Sequence, residues 1–203
     1  GGRPVRVPEA APSIGAFRRG RLLDFPGTAH VKITEGCSNG CSYCAIPLIR
    51  GSLKSRPVEE VVAECRDLVA RGIRELVLVG QDLGAYGREL GGGELLPPLL
   101  AALSATPGDF RVRTLYIHPD NFPYAILPII KADPRLLPYF DLPFQHASAP
   151  VLRAMNRAGD SDAYLELFSG IRSALPGAVI RSTFLVGFPG EDDADFKALR
   201  EFQ

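Results

Sequence analysis

Cys37, Cys41 and Cys44 stand in one short segment, EGCSNGCSYCAIP, with the spacing C-x3-C-x2-C. Three thiolates on one loop can hold three corners of a cubane iron–sulfur cluster, because each soft sulfur ligates a separate iron. The fourth iron is then left without a protein ligand, and an open coordination position is what a catalytic metal centre requires. Two other readings stand beside this one. Structural zinc could take the three thiolates with His30, His118 or His146 as a fourth ligand, although such sites usually come as two separated ligand pairs and no second pair is present. Reactive or disulfide-forming thiols are disfavoured by the odd number in the loop. A secreted disulfide scaffold would be smaller and would spread its cysteines, so a reducing, cytoplasmic setting is expected.

A loop with that duty needs regular elements to hold it, and the sequence predicts them in alternation. Residues 30–34 (HVKIT) read as a strand leading into the cysteine loop. Pro57 opens a helix whose apolar positions, Val58, Val61, Val62, Cys65, Leu68, Val69 and Ile73, recur at offsets of three and four, with Gly72 as a stop signal. Cys65 lies on that stripe and is expected in the core, as a small apolar residue. Residues 75–80 (ELVLVG) form a continuous apolar run of the kind seen in a parallel strand covered on both faces. A helix follows around 95–103, a strand at 112–117, a helical stretch at 124–132 and a strand at 140–145. Helices at 150–157 and 161–174, a strand at 179–188 and a final helix with an acidic start complete the pattern. This alternation predicts an α/β fold of parallel strands with right-handed crossovers. A partial (β/α) barrel fits it best, with a doubly wound open sheet as the alternative. In both, ligands sit at the carboxyl ends of the strands, where the cysteine loop falls.

The chain of 203 residues suits one substantial domain, with residues 29–203 as the core and 1–28 as a linker or arm. Hydrophobic residues at 46% and charged residues at 23% allow a packed core and exclude disorder over the whole length. Lys plus Arg and Asp plus Glu each number 23, so there is no basic surplus of the sort that phosphate-backbone binding uses. The arginine-rich stretch at 17–21 reads as a solvated face. Apolar runs are broken well short of the ~18 residues of a membrane span, and the start of the chain lacks a secretory apolar region.

With Tyr43 before its last cysteine, the motif resembles that of the radical S-adenosylmethionine (SAM) superfamily. The resemblance narrows to the methylthiotransferases through six blocks in order: EGCSNGCSYCAIPLIRGSLKSRP, ELVLVGQDLGAYG, LYIHPD, FDLPFQHAS, VLRAMNR and RSTFLVGFPGE. It implies that Cys37, Cys41 and Cys44 ligate a [4Fe–4S] cluster whose open iron binds SAM, which is cleaved to a 5′-deoxyadenosyl radical. It implies Tyr43 near the adenine and the region of Gly80, Gln81 and Asp82 near the SAM amino group. Gln145, Arg181 and Gly187 are further SAM candidates at the strand ends. LYIHPD and LPFQHAS resemble the branch that methylthiolates the β-carbon of an aspartate in a small-subunit ribosomal protein. The sister branch, which modifies an adenosine in tRNA, and a non-catalytic zinc-binding α/β domain are the alternatives. The family also implies an electron donor such as flavodoxin or ferredoxin, and an auxiliary cluster in an N-terminal domain. The barrel is expected to stop before its last strand, and the full reaction is not expected of these residues alone.

Each remaining candidate carries a plain structural reading. Gly80-Gln81-Asp82 could be only a polar strand-end turn. Arg181 within an apolar strand needs a partner, either a SAM carboxylate or a buried Asp or Glu. Gly187 and Gly190 permit close backbone approach. His146 could relay a proton or be structural, and His118-Pro119-Asp120 could line the cavity or form an ordinary turn. Arg50 and Arg56 could contact substrate or balance cluster charge. Gly91-Gly92-Gly93 lacks the lysine of a phosphate loop and reads as linker.

Overall fold

A computed structural model describes residues 26–91 and 93–203. The basic stretch at 17–21, Gly92 and most of the expected arm lie outside the described residues. In chain order the elements are β1 (Thr28–Lys32), β2 (Thr34–Glu35), α1 (Ile46–Arg50), β3 (Lys54–Ser55), α2 (Val58–Ala70), β4 (Glu75–Val79), α3 (Leu96–Ser104) and β5 (Arg111–Thr114). They continue with α4 (Ile126–Ala132), β6 (Tyr139–Asp141), α5 (Ala149–Ala154), α6 (Ser161–Ala174), β7 (Val179–Arg181) and α7 (Asp193–Phe202). Single 3-10 turns lie at Leu83–Ala85, Arg88–Leu90 and Pro119–Asn121.

β1, β4 and β5 form a parallel sheet in that order, with Ala29 opposite Leu76 and Leu76 opposite Val112. β6 and β7 form a second parallel pair. Hydrogen bonds outside the regular ladders join the two. The Val112 N–H donates to the Arg135 carbonyl at 2.8 Å, the Leu137 N–H to the Val112 carbonyl at 2.9 Å, and the Ile117 N–H to the Asp141 carbonyl at 3.0 Å. Five parallel strands thus follow one another as β1-β4-β5-β6-β7 in an open, partial barrel, as the alternation predicts.

The core explains why the elements fall where they do. Leu76, Val77 and Leu78 of β4 are all buried, which is the reason for its unbroken apolar run. Val61, Val62, Cys65 and Leu68 turn one face of α2 inward, and Cys65 at 1% exposure is a core residue. Leu96, Leu99, Leu100 and Leu103 do the same for α3. Phe144, Tyr164, Phe168 and Phe202 form an aromatic cluster, with Phe144 centred 4.4 Å from Tyr164 and 5.0 Å from Phe168. No helix of the described residues is long and apolar enough to cross a membrane.

Three strands are shorter than their apolar patterns. The runs at 112–117, 140–145 and 179–188 hold continuous ladder pairing over 111–114, 139–141 and 179–181. Beyond those points pairing is intermittent: a single parallel bridge joins Gln145 to Phe184, with the Gln145 N–H donating to the Thr183 carbonyl at 2.9 Å and the Leu185 N–H to the Gln145 carbonyl at 2.7 Å. Pro143 has no N–H to give, and the Ser182 hydroxyl bridges the gap by donating to the Leu142 carbonyl at 2.8 Å and accepting from the Phe144 N–H at 3.2 Å. Tyr116 and Gln145 then take left-handed backbone angles, φ 64° and 69°. The small antiparallel pair β2–β3 and the short helix α1 have no apolar periodicity, and sequence patterning does not anticipate them.

Candidate functional site

The cysteine loop leaves β1 at its carboxyl end and is strapped down on three sides. β2 pairs with β3 at its base, and the Cys37 N–H donates to the Gly51 carbonyl at 3.1 Å. Gly36 makes this closure possible: its φ is +69°, and a Cβ there would lie 2.2 Å from the Ser52 carbonyl oxygen. On the β4 side, the Asn39 amide donates to Asp82 Oδ2 at 2.9 Å. On the α5 side, the Ser42 N–H donates to the Met155 carbonyl at 3.1 Å and the Asn156 amide to the Gly40 carbonyl at 2.8 Å.

Held this way, Cys37, Cys41 and Cys44 present free, half-buried thiols to one cavity of about 150 Å³. Asn39, Tyr43, Gln81, His118, Gln145 and Arg157 complete its polar wall, and Ile46 and Pro143 its apolar one. Burial raises the Cys37 thiol above its ordinary pKa, and Asp82, Cys41 and Cys44 add to the rise, while the Asn39 N–H opposes it from 3.4 Å. Thiolates packed so closely need a cationic core to stabilise their charge, which a metal cluster supplies. Among the described residues no group of three or more His, Cys, Asp or Glu is arranged to hold a single metal ion. A cubane spreads its thiolates over different irons, so three half-buried thiols around one cavity fit it better than they fit zinc. Of the histidines considered as a fourth zinc ligand, His30 is exposed on β1 and His146 is fully buried with Nε2 3.7 Å from Glu191. Only His118 reaches the cysteines, with Nε2 3.9 Å from Cys41 Sγ.

His118 Nδ1 accepts the Asp120 N–H at 3.3 Å, which puts the ring proton on Nε2, facing the sulfur. Burial lowers the His118 pKa and the nearby Arg157 lowers it further, while Asp120 and Asp82 oppose the fall. Burial also raises the Tyr43 phenol, against the pull of the same guanidinium.

Six of the ten residues expected at the site line this cavity: Cys37, Cys41, Cys44, Tyr43, Gln81 and Gln145. The other four stand outside its wall. Gly80 lets the end of β4 approach β2 closely, since a Cβ would lie 2.1 Å from Thr34 Oγ1. Asp82 sits behind the cavity, where Oδ1 accepts the Gly84 and His118 N–H groups and Oδ2 the Asn39 and Asn121 amides. Arg181 has the second of its two expected kinds of partner, the buried Asp141, at 2.8 Å. The Gly187 N–H donates to Glu191 Oε2 at 2.7 Å, which fixes the loop after β7. Of the flanking arginines, Arg56 is buried in an ion pair with Glu64 at 2.5 Å, and Arg50 reaches Glu35 at 3.8 Å. Arg157 is the charged lining residue that sequence reasoning does not single out, although the block VLRAMNR ends on it.

A family model, the Radical SAM superfamily, matches residues 31–202. The chain is 46% identical to the ribosomal protein uS12 methylthiotransferase RimO of Treponema denticola, over 94% of this chain and 45% of that protein. The RimO of Moorella thermoacetica is 43% identical over 97% of this chain and 52% of its own length. The chain therefore spans about half the length of the curated relatives it matches. Among solved structures, the radical SAM methyltransferase TsrM of Kitasatospora setae, with a tryptophan substrate and a SAM analogue bound, superposes with TM-score 0.68. It is 18% identical over 86% of this chain and 33% of that one. The cobalamin-dependent radical enzyme OxsB superposes with TM-score 0.64 at 12% identity, over 85% of this chain and 26% of that one. The partial barrel, the cysteine loop at its carboxyl face and a family match over nearly the whole described chain agree: the protein belongs to the radical SAM superfamily.

Proposed function

We propose that this chain is the radical-generating core of a methylthiotransferase that adds a methylthio group to the β-carbon of an aspartate in ribosomal protein uS12. The observation that carries this reading is the convergence of Cys37, Cys41 and Cys44 on one cavity at the strand ends, in a chain 41–47% identical to relatives named as uS12 methylthiotransferases. Cys37, Cys41 and Cys44 would hold a [4Fe–4S] cluster. With SAM bound, that cluster would supply one-electron reductive cleavage chemistry.

The chain's own residues provide the setting. Gln81 and Gln145 offer neutral hydrogen-bonding groups suited to the polar ends of SAM, and Tyr43 offers an aromatic face beside the cysteines. Ile46 and Pro143 keep one side of the cavity apolar, which limits the water able to quench a radical. Asp82 acts from behind the wall by fixing Asn39, and so the cysteine loop. Gly80, Arg181 and Gly187 serve the site by shaping the strand ends. An electron donor such as flavodoxin or ferredoxin and an auxiliary cluster in an N-terminal domain belong to the same proposal for the full-length protein.

Anaerobic reconstitution with iron and sulfide, followed by EPR of the dithionite-reduced chain with and without SAM, tests the core. A [4Fe–4S]⁺ signal that changes on SAM addition is the expected result. A colourless protein with stoichiometric zinc overturns it. The substrate is tested with the full-length enzyme offered uS12 or tRNA: the methylthio mass gain is expected on uS12, and a gain on tRNA alone would sink that assignment.

A further inference from the structure

Arg157 is 4% exposed and carries a charge it cannot shed. Its Nη1 donates to the Tyr43 phenol oxygen at 2.9 Å and its Nη2 to the Pro143 carbonyl at 2.9 Å, while Nε has no partner. Among the described residues no carboxylate forms an ion pair with it. A buried charge in that condition costs several kcal/mol unless an anion compensates it. The cavity that Arg157 lines contains one source of compensating charge, the three cysteine sulfurs. Across the cavity His118 aims its Nε2 proton at Cys41 Sγ from 3.9 Å.

We propose that Arg157 and His118 together raise the reduction potential of the cluster held by Cys37, Cys41 and Cys44, Arg157 as a buried counter-charge and His118 as a donor to the Cys41 sulfur. This rests on the cluster reading above. Reduction adds one electron to a group that is already anionic with its thiolates. A fixed positive charge and a hydrogen bond to sulfur, both in a low-dielectric wall, therefore stabilise the reduced cluster more than the oxidised one. Both residues act on the cluster through its surroundings and are positioning residues. Arg157 also joins the cysteine loop, through Tyr43, to the end of β6, through Pro143. A purely mechanical role of that kind would change stability and leave the potential alone.

The test is a mediated redox titration of the anaerobically reconstituted chain, read from the EPR signal of the reduced cluster. Arg157→Gln should make reduction at least tenfold less favourable, about 59 mV more negative for one electron. Arg157→Lys, which keeps the charge, should return the potential to the wild-type value. His118→Leu should shift it in the same direction as Arg157→Gln by a smaller factor. An Arg157→Gln cluster that is reduced at the wild-type potential overturns the proposal. If that variant does not fold, His118→Leu decides the matter, a negative shift supporting the proposal and an unchanged potential overturning it. A wild-type chain that assembles no cluster overturns the reading beneath, and it does so before any variant is compared.

Discussion

Asp82 is 1% exposed, and it holds the cysteine loop without touching the cavity. Its two oxygens accept four hydrogen bonds, at 2.7–3.0 Å, from Gly84, His118, Asn39 and Asn121. Asp82→Asn would turn an amide N–H toward one of these donors and remove the charge that strengthens all four bonds. The expected cost is about 3 kcal/mol of unfolding free energy, together with less iron bound per chain. Urea denaturation and iron analysis check it, and an unchanged midpoint would show that the carboxylate is dispensable. Gly36 makes the complementary case on the backbone. Gly36→Ala places a methyl 2.2 Å from the Ser52 carbonyl oxygen at a φ of +69°, so the loop base must open. Stability should fall by more than the ~1 kcal/mol of the conformational penalty alone, and cluster occupancy should fall with it. Full occupancy in the alanine variant would mean that the β2–β3 closure does not position the cysteines.

Among the elements, α7 is fixed at both ends, by a cap at its start and by ring packing at its close. Asp192 caps it by accepting the Ala194 and Asp195 N–H groups at 2.9 Å, and Asp195 answers with a bond to the Asp192 N–H. At the other end Phe202 stacks on Phe168 at 5.8 Å. Asp192→Ala should cost about 1 kcal/mol, and Phe202→Ala about 3 kcal/mol through the cavity it opens among Phe144, Tyr164 and Phe168. Thermal melts of the two single variants and the double check both values. The sites lie at opposite ends of a ten-residue helix, so the two costs should add. The acidic start of α7 is one feature that sequence patterning reads directly. The apolar stripe of α2 and the both-sides-buried run of β4 are others, because periodicity and burial there have one cause. Strand ends are less legible. The runs through 140–145 and 179–188 stay apolar after continuous ladder pairing stops, since Phe144 packs in the core whether or not its N–H reaches a strand neighbour. The site divides in the same way. Covalent spacing announces Cys37, Cys41 and Cys44, whereas Arg157 enters the cavity through the packing of α5, which no local pattern encodes.

Two buried titratable groups far apart in the fold set limits on the pH range of the whole molecule. At the amino-terminal end of the barrel, Arg135 donates to both Asp133 oxygens and to the carbonyls of Thr106, Gly108 and Ser104, with its guanidinium 4.9 Å from the Phe110 ring centre. Those bonds, above all the one from Arg135, hold the Asp133 carboxyl at about 2, below its ordinary 3.8. Its folded value is depressed, so its contribution is complete above pH ~4 and is lost as pH falls toward 2. In the aromatic cluster burial pushes the Tyr164 phenol up to about 12 from 10. Its folded value is raised, so its contribution is complete below pH 10 and is lost as pH rises toward 12. Each limb is worth on the order of 1–2 kcal/mol once solvent screening is allowed for. The unfolding free energy contributed by these two groups should therefore be flat between about pH 4 and 10 and fall on either side. Asp133→Asn should remove part of the acid slope and leave the alkaline one, and Tyr164→Phe should do the reverse. Chemical denaturation at pH 3, 7 and 11 separates them. A Tyr164→Phe chain that loses as much stability between pH 10 and 12 as the wild type would place the alkaline limb on other groups. Asp133 and its partners lie apart from the cysteine loop, so iron content at pH 7 should be the same in Asp133→Asn as in the wild type.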